Sequence, residues 1–146
     1  MNSLNKAQII GNVTRDIELR KTQNGQFVCT VGVATNRKWK DANTGEMRED
    51  VEFHNVVCWG KLAEIVAQYL KKGTRVFFEG RLQTRNWEDD AGVKHFRTEI
   101  IAQDMIMLTT KAESEKMAAE NSAAPNEPAP KKDEEEIKVS DEDLPF

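Results

Sequence analysis

Cysteine is scarce in this 146-residue sequence. The two present, Cys29 and Cys58, sit inside apolar runs with no C-x-x-C pair and no second ligand cluster. That spacing excludes a disulfide framework and a thiolate zinc site, and predicts two buried free thiols in a reducing compartment. Histidine is equally sparse. His54 falls within a predicted strand and His95 at the start of another, neither beside a nucleophile or a ligand cluster. The Asp89-Asp90 pair belongs to a hairpin tip, and Gly11-Asn12 and Asn24-Gly25 read as turns, not as a phosphate-cradling loop before a helix. No catalytic residue, metal site or cofactor is therefore expected. A nuclease whose carboxylates converge only in the fold stays open as the alternative. Long apolar runs are missing too: none approaches the ~20 residues a membrane span needs. Met1 to Lys6 is too polar for a signal peptide, so the chain is expected to be cytoplasmic.

What is present divides unevenly. Residues 1–111 carry 17 Lys+Arg against 14 Asp+Glu, and residues 112–146 carry 4 against 11. A mildly basic body thus precedes an acidic tail, and the overall net charge of −4 hides both. The tail concentrates Pro125, Pro128 and Pro130 and has no Trp, Tyr or Cys. It cannot bury enough apolar area to offset the entropy of ordering. The composition assigns residues 1–110 to one domain, 111–138 to a disordered linker and 139–146 to an acidic tip. In that tip Asp141, Glu142 and Asp143 repel one another, whereas Leu144, Pro145 and Phe146 expose apolar groups beside the terminal carboxylate. Pro145 fixes its own φ and disfavours the α region for Leu144. A merely solubilising end would stay polar; this one reads as a peptide captured by a basic, apolar pocket on a partner.

The body reads as strands with one helix. Ala7–Val13 forms a first strand. After the Asn24-Gly25 turn, Phe27, Cys29, Val31 and Val33 alternate through a second, where Gly32 and Ala34 suit a sharp bend. Val51–Trp59 is a third. Leu62, Ile65, Val66, Tyr69 and Leu70 then recur at helical spacing, with Gly73 closing the helix. Arg75–Trp87 and His95–Leu108 complete the order βββαββ. The fold class is all-β: a five-stranded Greek-key barrel of the OB type, one helix between strands 3 and 4. A generic α+β domain would give the same order.

Aromatic and basic residues interleave in a way no core requires. Trp39 lies between Lys38 and Lys40 in the predicted connection Arg37–Asp50. Arg81, Gln83, Arg85 and Trp87 share one strand parity, ending where a long connection begins. Cations meet phosphates and flat rings stack on unpaired bases, which is how single-stranded nucleic acid is held. Phe53 and Trp59 have a core role as their alternative, and Trp59 fits it equally well.

At these residues the chain resembles the bacterial single-stranded DNA-binding protein family, over about residues 1–108 and again at the tip. The resemblance is carried by Gly11-Asn12, Trp39-Lys40-Asp41 with Thr44-Gly45-Glu46-Met47, and Phe53-His54 before Gly60-Lys61-Leu62-Ala63-Glu64. It continues through Tyr69-Leu70, Lys72-Gly73, Glu79-Gly80, Thr84-Arg85, Trp87 and the terminal Leu-Pro-Phe. It implies a homotetramer wrapped by single-stranded DNA, with stacking on Trp39, Phe53, Trp59 and Trp87. Lys38, Lys40, Lys61, Lys72, Arg81 and Arg85 would meet the backbone, and Lys6, His54 and Glu79 would lie at the subunit interface. The implied role is non-enzymatic, in replication, recombination and repair at the nucleoid, with the tip recruiting replication and repair proteins. The linker departs from the family's long Gly/Gln-rich form, being short and interrupted by Asp133-Glu134-Glu135-Glu136. An RNA-binding or primosomal OB protein would share the barrel but has no need of this tip. A pure adaptor would keep the tip but has no use for tryptophans beside lysines.

Overall fold

Alternating apolar residues along five long strands give the chain one inward face, and closing the sheet on itself buries it. A computed structural model describes residues 1–123. Its elements are β1 Ala7–Val13, β2 Arg20–Lys21, β3 Phe27–Lys40, β4 Met47–Trp59, α1 Gly60–Tyr69, β5 Arg75–Glu88, β6 Lys94–Met107 and α2 Lys111–Ala123. The strands run β1-β5-β6-β4-β3, and β3 returns to β1 through Asn12↔Ala34 and Val13↔Val33. That last pairing closes the barrel. All neighbours are antiparallel except β4 and β6, paired parallel at Val56↔Ile100 and Val57↔Ile101. This is the OB architecture expected from the element order, with two-residue β2 added along the start of β3.

Closure brings two backbones unusually near. A Cβ on Gly11 would lie 2.3 Å from the Ala34 carbonyl oxygen, and one on Gly32 would lie 2.4 Å from Thr14 Oγ1. The small residues expected to mark a bend therefore stand where β1 crosses β3. The interior is filled by Cys29, Val31 and Val33 of β3, Val56 and Cys58 of β4, Val76 and Phe78 of β5, and Ile100 of β6. Helix α1 closes one end with Ala63, Val66 and, just after it, Leu70. The two thiols are free and buried, on directly opposed residues of β3 and β4. The adjacent Cys29 sulfur and burial together push the Cys58 thiol up.

Three sequence expectations change. Helix α1 ends because Leu70 turns extended (φ −86°, ψ 134°). Gly73 does not cap it; its N–H donates to the Val13 carbonyl, 2.8 Å away, at the barrel seam. Strands β3 and β4 run past Ala34 and begin before Val51, respectively. Their register is unbroken from Val28↔Trp59 to Lys40↔Met47, leaving only residues 41–46 as a turn. Finally, the stretch assigned to a disordered linker begins with helix α2, 13 residues long. A reciprocal cap starts it: Thr110 N–H and hydroxyl both donate to Glu113 Oε2 at 2.9 Å, and Glu113 N–H returns to Thr110 Oγ1 at 3.3 Å. The rest of that linker and the tip Asp141–Phe146 lie outside the described residues.

Candidate nucleic-acid interface

Side chains alternate across a strand, so the residues that do not face the barrel interior share its outer surface. On β3 and β4 these are Val28, Thr30, Val57, Trp59, Phe53, Lys38 and Lys40. On β5 and β6 they are Arg81, Gln83, Arg85, Trp87, His95, Arg97, Glu99 and Ile101. The registers Val57↔Ile101, Ile101↔Arg81, Glu99↔Gln83, Arg97↔Arg85 and His95↔Trp87 make the surface continuous across β3-β4-β6-β5. Three of its aromatics are well exposed: Phe53 at 72%, Trp59 at 45% and Trp87 at 44%.

Trp59 stands in a cleft of about 510 Å³ whose walls are Val28, Val57 and Ile101. Its rim carries Arg15, Arg20, Lys21, Arg85 and Arg97. At the floor the buried Glu99 places one oxygen, Oε1, 3.3 Å from Arg85 Nη2 and 3.6 Å from Arg97 Nε. One carboxylate thus orients two guanidinium groups without neutralising the cluster. Such a surface offers a flat apolar ring ringed by cations, suited to a base with its phosphates.

The sequence-predicted residues do not all gather here. Phe53, Trp59, Arg81, Arg85 and Trp87 share the face. Lys38 and Lys40 lie on the same strand parity, farther out along the β3–β4 arm, with Lys38 Nζ 3.9 Å from Glu49. Trp39 does not lie on a loop. It is half-buried on β3 with the parity of the core residues, so it occupies the other face of that arm, 4.9 Å from the Arg37 guanidinium. Its flanking lysines point the opposite way by simple alternation. Trp87 likewise lies on a strand, β5. Lys61, on the first turn of α1, and Lys72, in the loop before β5, do not line the cleft. Sequence reasoning missed Arg15, Arg20, Lys21, Arg97 and Glu99. The last two were open to the parity rule once the β5–β6 register was known; Arg20 and Lys21 arrive on β2, paired to the start of β3, and Arg15 on the segment between β1 and β2.

Of the three residues assigned to a subunit contact, two meet. Lys6 Nζ lies 2.9 Å from Glu79 Oε1. Lys6 first, and then Gln8, hold the Glu79 carboxyl below the usual range. His54 is elsewhere, on β4, with Nε2 2.8 Å from Thr35 Oγ1. Beside the Lys6–Glu79 pair, Ile10, Phe77 and Ile106 form a row across β1-β5-β6, with Ile10 and Ile106 exposed. Among the described residues no group of three His, Cys, Asp or Glu could hold a metal, and no helix is long and apolar enough to cross a membrane.

Comparison with known proteins places this surface in context. The model of the single-strand binding protein family matches residues 4–108. Single-stranded DNA-binding protein 1 of Xylella fastidiosa is 48% identical over 117 residues, covering 80% of this chain and 86% of that protein. Its namesake in Chlorobaculum tepidum is 49% identical over 109 residues, covering 74% and 67%. The solved Plasmodium falciparum SSB complex with ssDNA superposes with a TM-score of 0.70 at 33% identity, over 75% of this chain and 98% of that one.

Proposed function

Because the chain belongs to the single-strand binding protein family, we infer that its barrel binds single-stranded DNA without regard to base sequence. The observation that carries this reading is the outer face, which exposes Phe53, Trp59 and Trp87 and rims the cleft at Trp59 with Arg15, Arg20, Lys21, Arg85 and Arg97. Stacking is tolerant of base identity because every base has a π-face, and the cations meet a backbone common to all sequences. Titration of the intrinsic tryptophan fluorescence tests it. Oligo-dT should quench strongly, duplex DNA weakly, and oligo-rU should separate DNA from RNA preference. Affinity should fall steeply with salt, each neutralised phosphate contributing ~0.7 to the log–log slope. Equal affinity for duplex would refute single-strand binding.

Binding without catalysis, in replication, recombination and repair at the nucleoid, belongs to the same reading. So does assembly as a homotetramer. A body with a net charge of only +3 over residues 1–111 grips a long strand weakly unless several barrels share it. The Ile10–Phe77–Ile106 row beside Lys6–Glu79, exposed at Ile10 and Ile106, offers an apolar surface for self-association, supporting a closed symmetric assembly. Light scattering should return about four times the 16.6 kDa chain mass; a monomer at micromolar concentration would contradict this part.

The tip is the proposed recruitment signal. Asp141, Glu142, Asp143, Leu144, Pro145 and Phe146 combine acidic with apolar side chains, the complement of a basic, apolar pocket on replication and repair proteins. The acidic tail also competes with phosphates for the cationic cleft, an electrostatic effect that fades beyond ~10 Å at 0.1 M salt. Removing residues 139–146 should therefore leave oligo-dT binding unchanged or slightly tighter at low salt. The same deletion, or Phe146→Ala, should abolish capture of those partners. Weaker DNA binding or undiminished capture would disprove this role.

A further inference from the structure

At the β5–β6 hairpin, Trp87 does not stand alone. Its cross-strand partner is His95, and the two rings stack with centroids 5.5 Å apart and planes 22° apart. The far edge of the imidazole is fixed: His95 Nε2 lies 2.8 Å from Asp89 Oδ2. Asp89 is itself fixed by the turn. Its Oδ1 accepts the N–H groups of Ala91 at 3.0 Å and Val93 at 2.9 Å. Its own backbone completes the turn through Asp89 N–H to Val93 O and Gly92 N–H to Asp89 O, both 3.0 Å. An exposed indole on a hairpin arm would ordinarily sample several rotamers. Here the turn holds the carboxylate, the carboxylate holds the imidazole, and the imidazole lies against the indole.

We propose that His95 is a positioning residue for DNA binding. Pinned by Asp89, it sets the plane in which Trp87 meets a base, and its protonation places a positive charge beside that stack. The inference rests on the single-strand-binding reading above and adds to it a residue and a pH dependence.

The charges facing the imidazole come from each neighbouring element. Asp89 faces it from the turn. Arg85 lies on the same face of β5, its guanidinium 5.7 Å from the Trp87 ring on which the imidazole stacks. Arg97 lies two residues along β6 and is drawn toward Glu99. Glu88 and Lys94 have the opposite parity. With a neutral imidazole the Asp89–His95 pair carries a net −1 beside an anionic strand; protonation brings it to zero. A protonated imidazole therefore favours an anionic strand, and affinity should be higher at about pH 5.8 than at about pH 8.0. His95 beside it, then the Val93 N–H, hold the Asp89 carboxyl below its usual range, so the carboxylate remains ionised there. Thymine does not titrate in that range, which makes oligo-dT the appropriate probe.

The experiment titrates the full chain with an oligo-dT of about eight nucleotides, within the reach of one OB barrel, at about pH 5.8 and 8.0. Wild type should bind about two- to fivefold tighter at the lower pH, the size of an exposed cation–π contribution. His95→Gln, which loses stacking and charge, should bind more weakly with no pH dependence. His95→Arg restores a flat, permanently charged group able to stack and to pair with Asp89. It should bind at both pH values as tightly as wild type does at the lower one. His54 is retained in every variant. A pH ratio that survives in His95→Gln therefore arises elsewhere and overturns the proposal, as does a His95→Arg that binds no better than His95→Gln. Failure of the single-strand reading would look different: no quenching by oligo-dT in any variant at either pH.

Discussion

Trp59→Ala should weaken oligo-dT binding by ~1–3 kcal/mol, roughly 5- to 150-fold, the range alanine substitution gives for one base stacked in single-strand-binding OB barrels. The position explains why this loss should appear in binding more than in folding. Trp59 ends β4 and serves as N-cap of α1, but its side chain makes no capping hydrogen bond. Nearly half the residue is exposed, and its parity is that of the outer face. The rim cations stay when the indole is removed, so the salt slope should hold near the wild-type value while the intercept falls. Arg85→Ala should do the reverse in part, lowering the slope by ~0.7 for its lost phosphate contact. Fluorescence titration at several salt concentrations separates the two, with Trp39 and Trp87 as reporters in the Trp59 variant. Wild-type affinity in Trp59→Ala, or a collapse of its salt slope, would remove Trp59 from the DNA site.

That split between stacking and charge was half visible before the fold. Barrel strands announce themselves because alternation of Phe27, Cys29, Val31 and Val33 has an inside to face. The outer halves of β3 and β4 do not, since residues 36–38 and 47–53 are exposed on both parities. Their pairing is held instead by polar contacts such as Asn36 Nδ2 to Glu49 at 2.8 Å and Arg48 Nε to Asp41 at 2.9 Å. A hydrophobic pattern cannot report such an arm, and so Trp39 read as a loop residue. Its neighbouring lysines suggested an exposed cationic cluster, yet on a strand they face away from it. The α2 helix is a different omission. Its Thr110-x-x-Glu113 cap is a sequence signature that went unread, because the acidic, Ala-rich composition that follows reads as disorder. Arg20 and Lys21 reach Trp59 through the short β2–β3 hairpin, whose pairing Arg20↔Val28 continues to Val28↔Trp59, and a two-residue strand with both residues exposed has no apolar alternation to announce it.

The clearest structural demand is at Gly80, and Gly80→Ala should cost ~3 kcal/mol or more, as backbone overpacking does in a closed core. Gly80 pairs with Ala7 of β1 on one side and Ala102 of β6 on the other. The register with β6 shifts between Glu79 and Gly80, the signature of a bulge that bends a strand and redirects it. A Cβ there would lie 2.0 Å from the Ile101 carbonyl oxygen and 2.7 Å from its carbon. Both are main-chain atoms, so no side-chain rotation can relieve the clash; β6 must separate from β5 or the bulge must be lost. Gly92 supplies the contrast. Its φ is +77°, but a methyl group there would meet nothing within 4 Å, so Gly92→Ala should cost only the ~1 kcal/mol of left-handed strain. For a domain of about 110 residues these costs correspond to roughly 12–24 °C or more for Gly80→Ala and 4–8 °C for Gly92→Ala. Thermal melts followed by circular dichroism decide the matter. If Gly80→Ala melted no lower than Gly92→Ala, the close approach would not be a constraint. Binding should fall along with stability, because the bulge aims the arm that carries Arg85, Trp87 and His95.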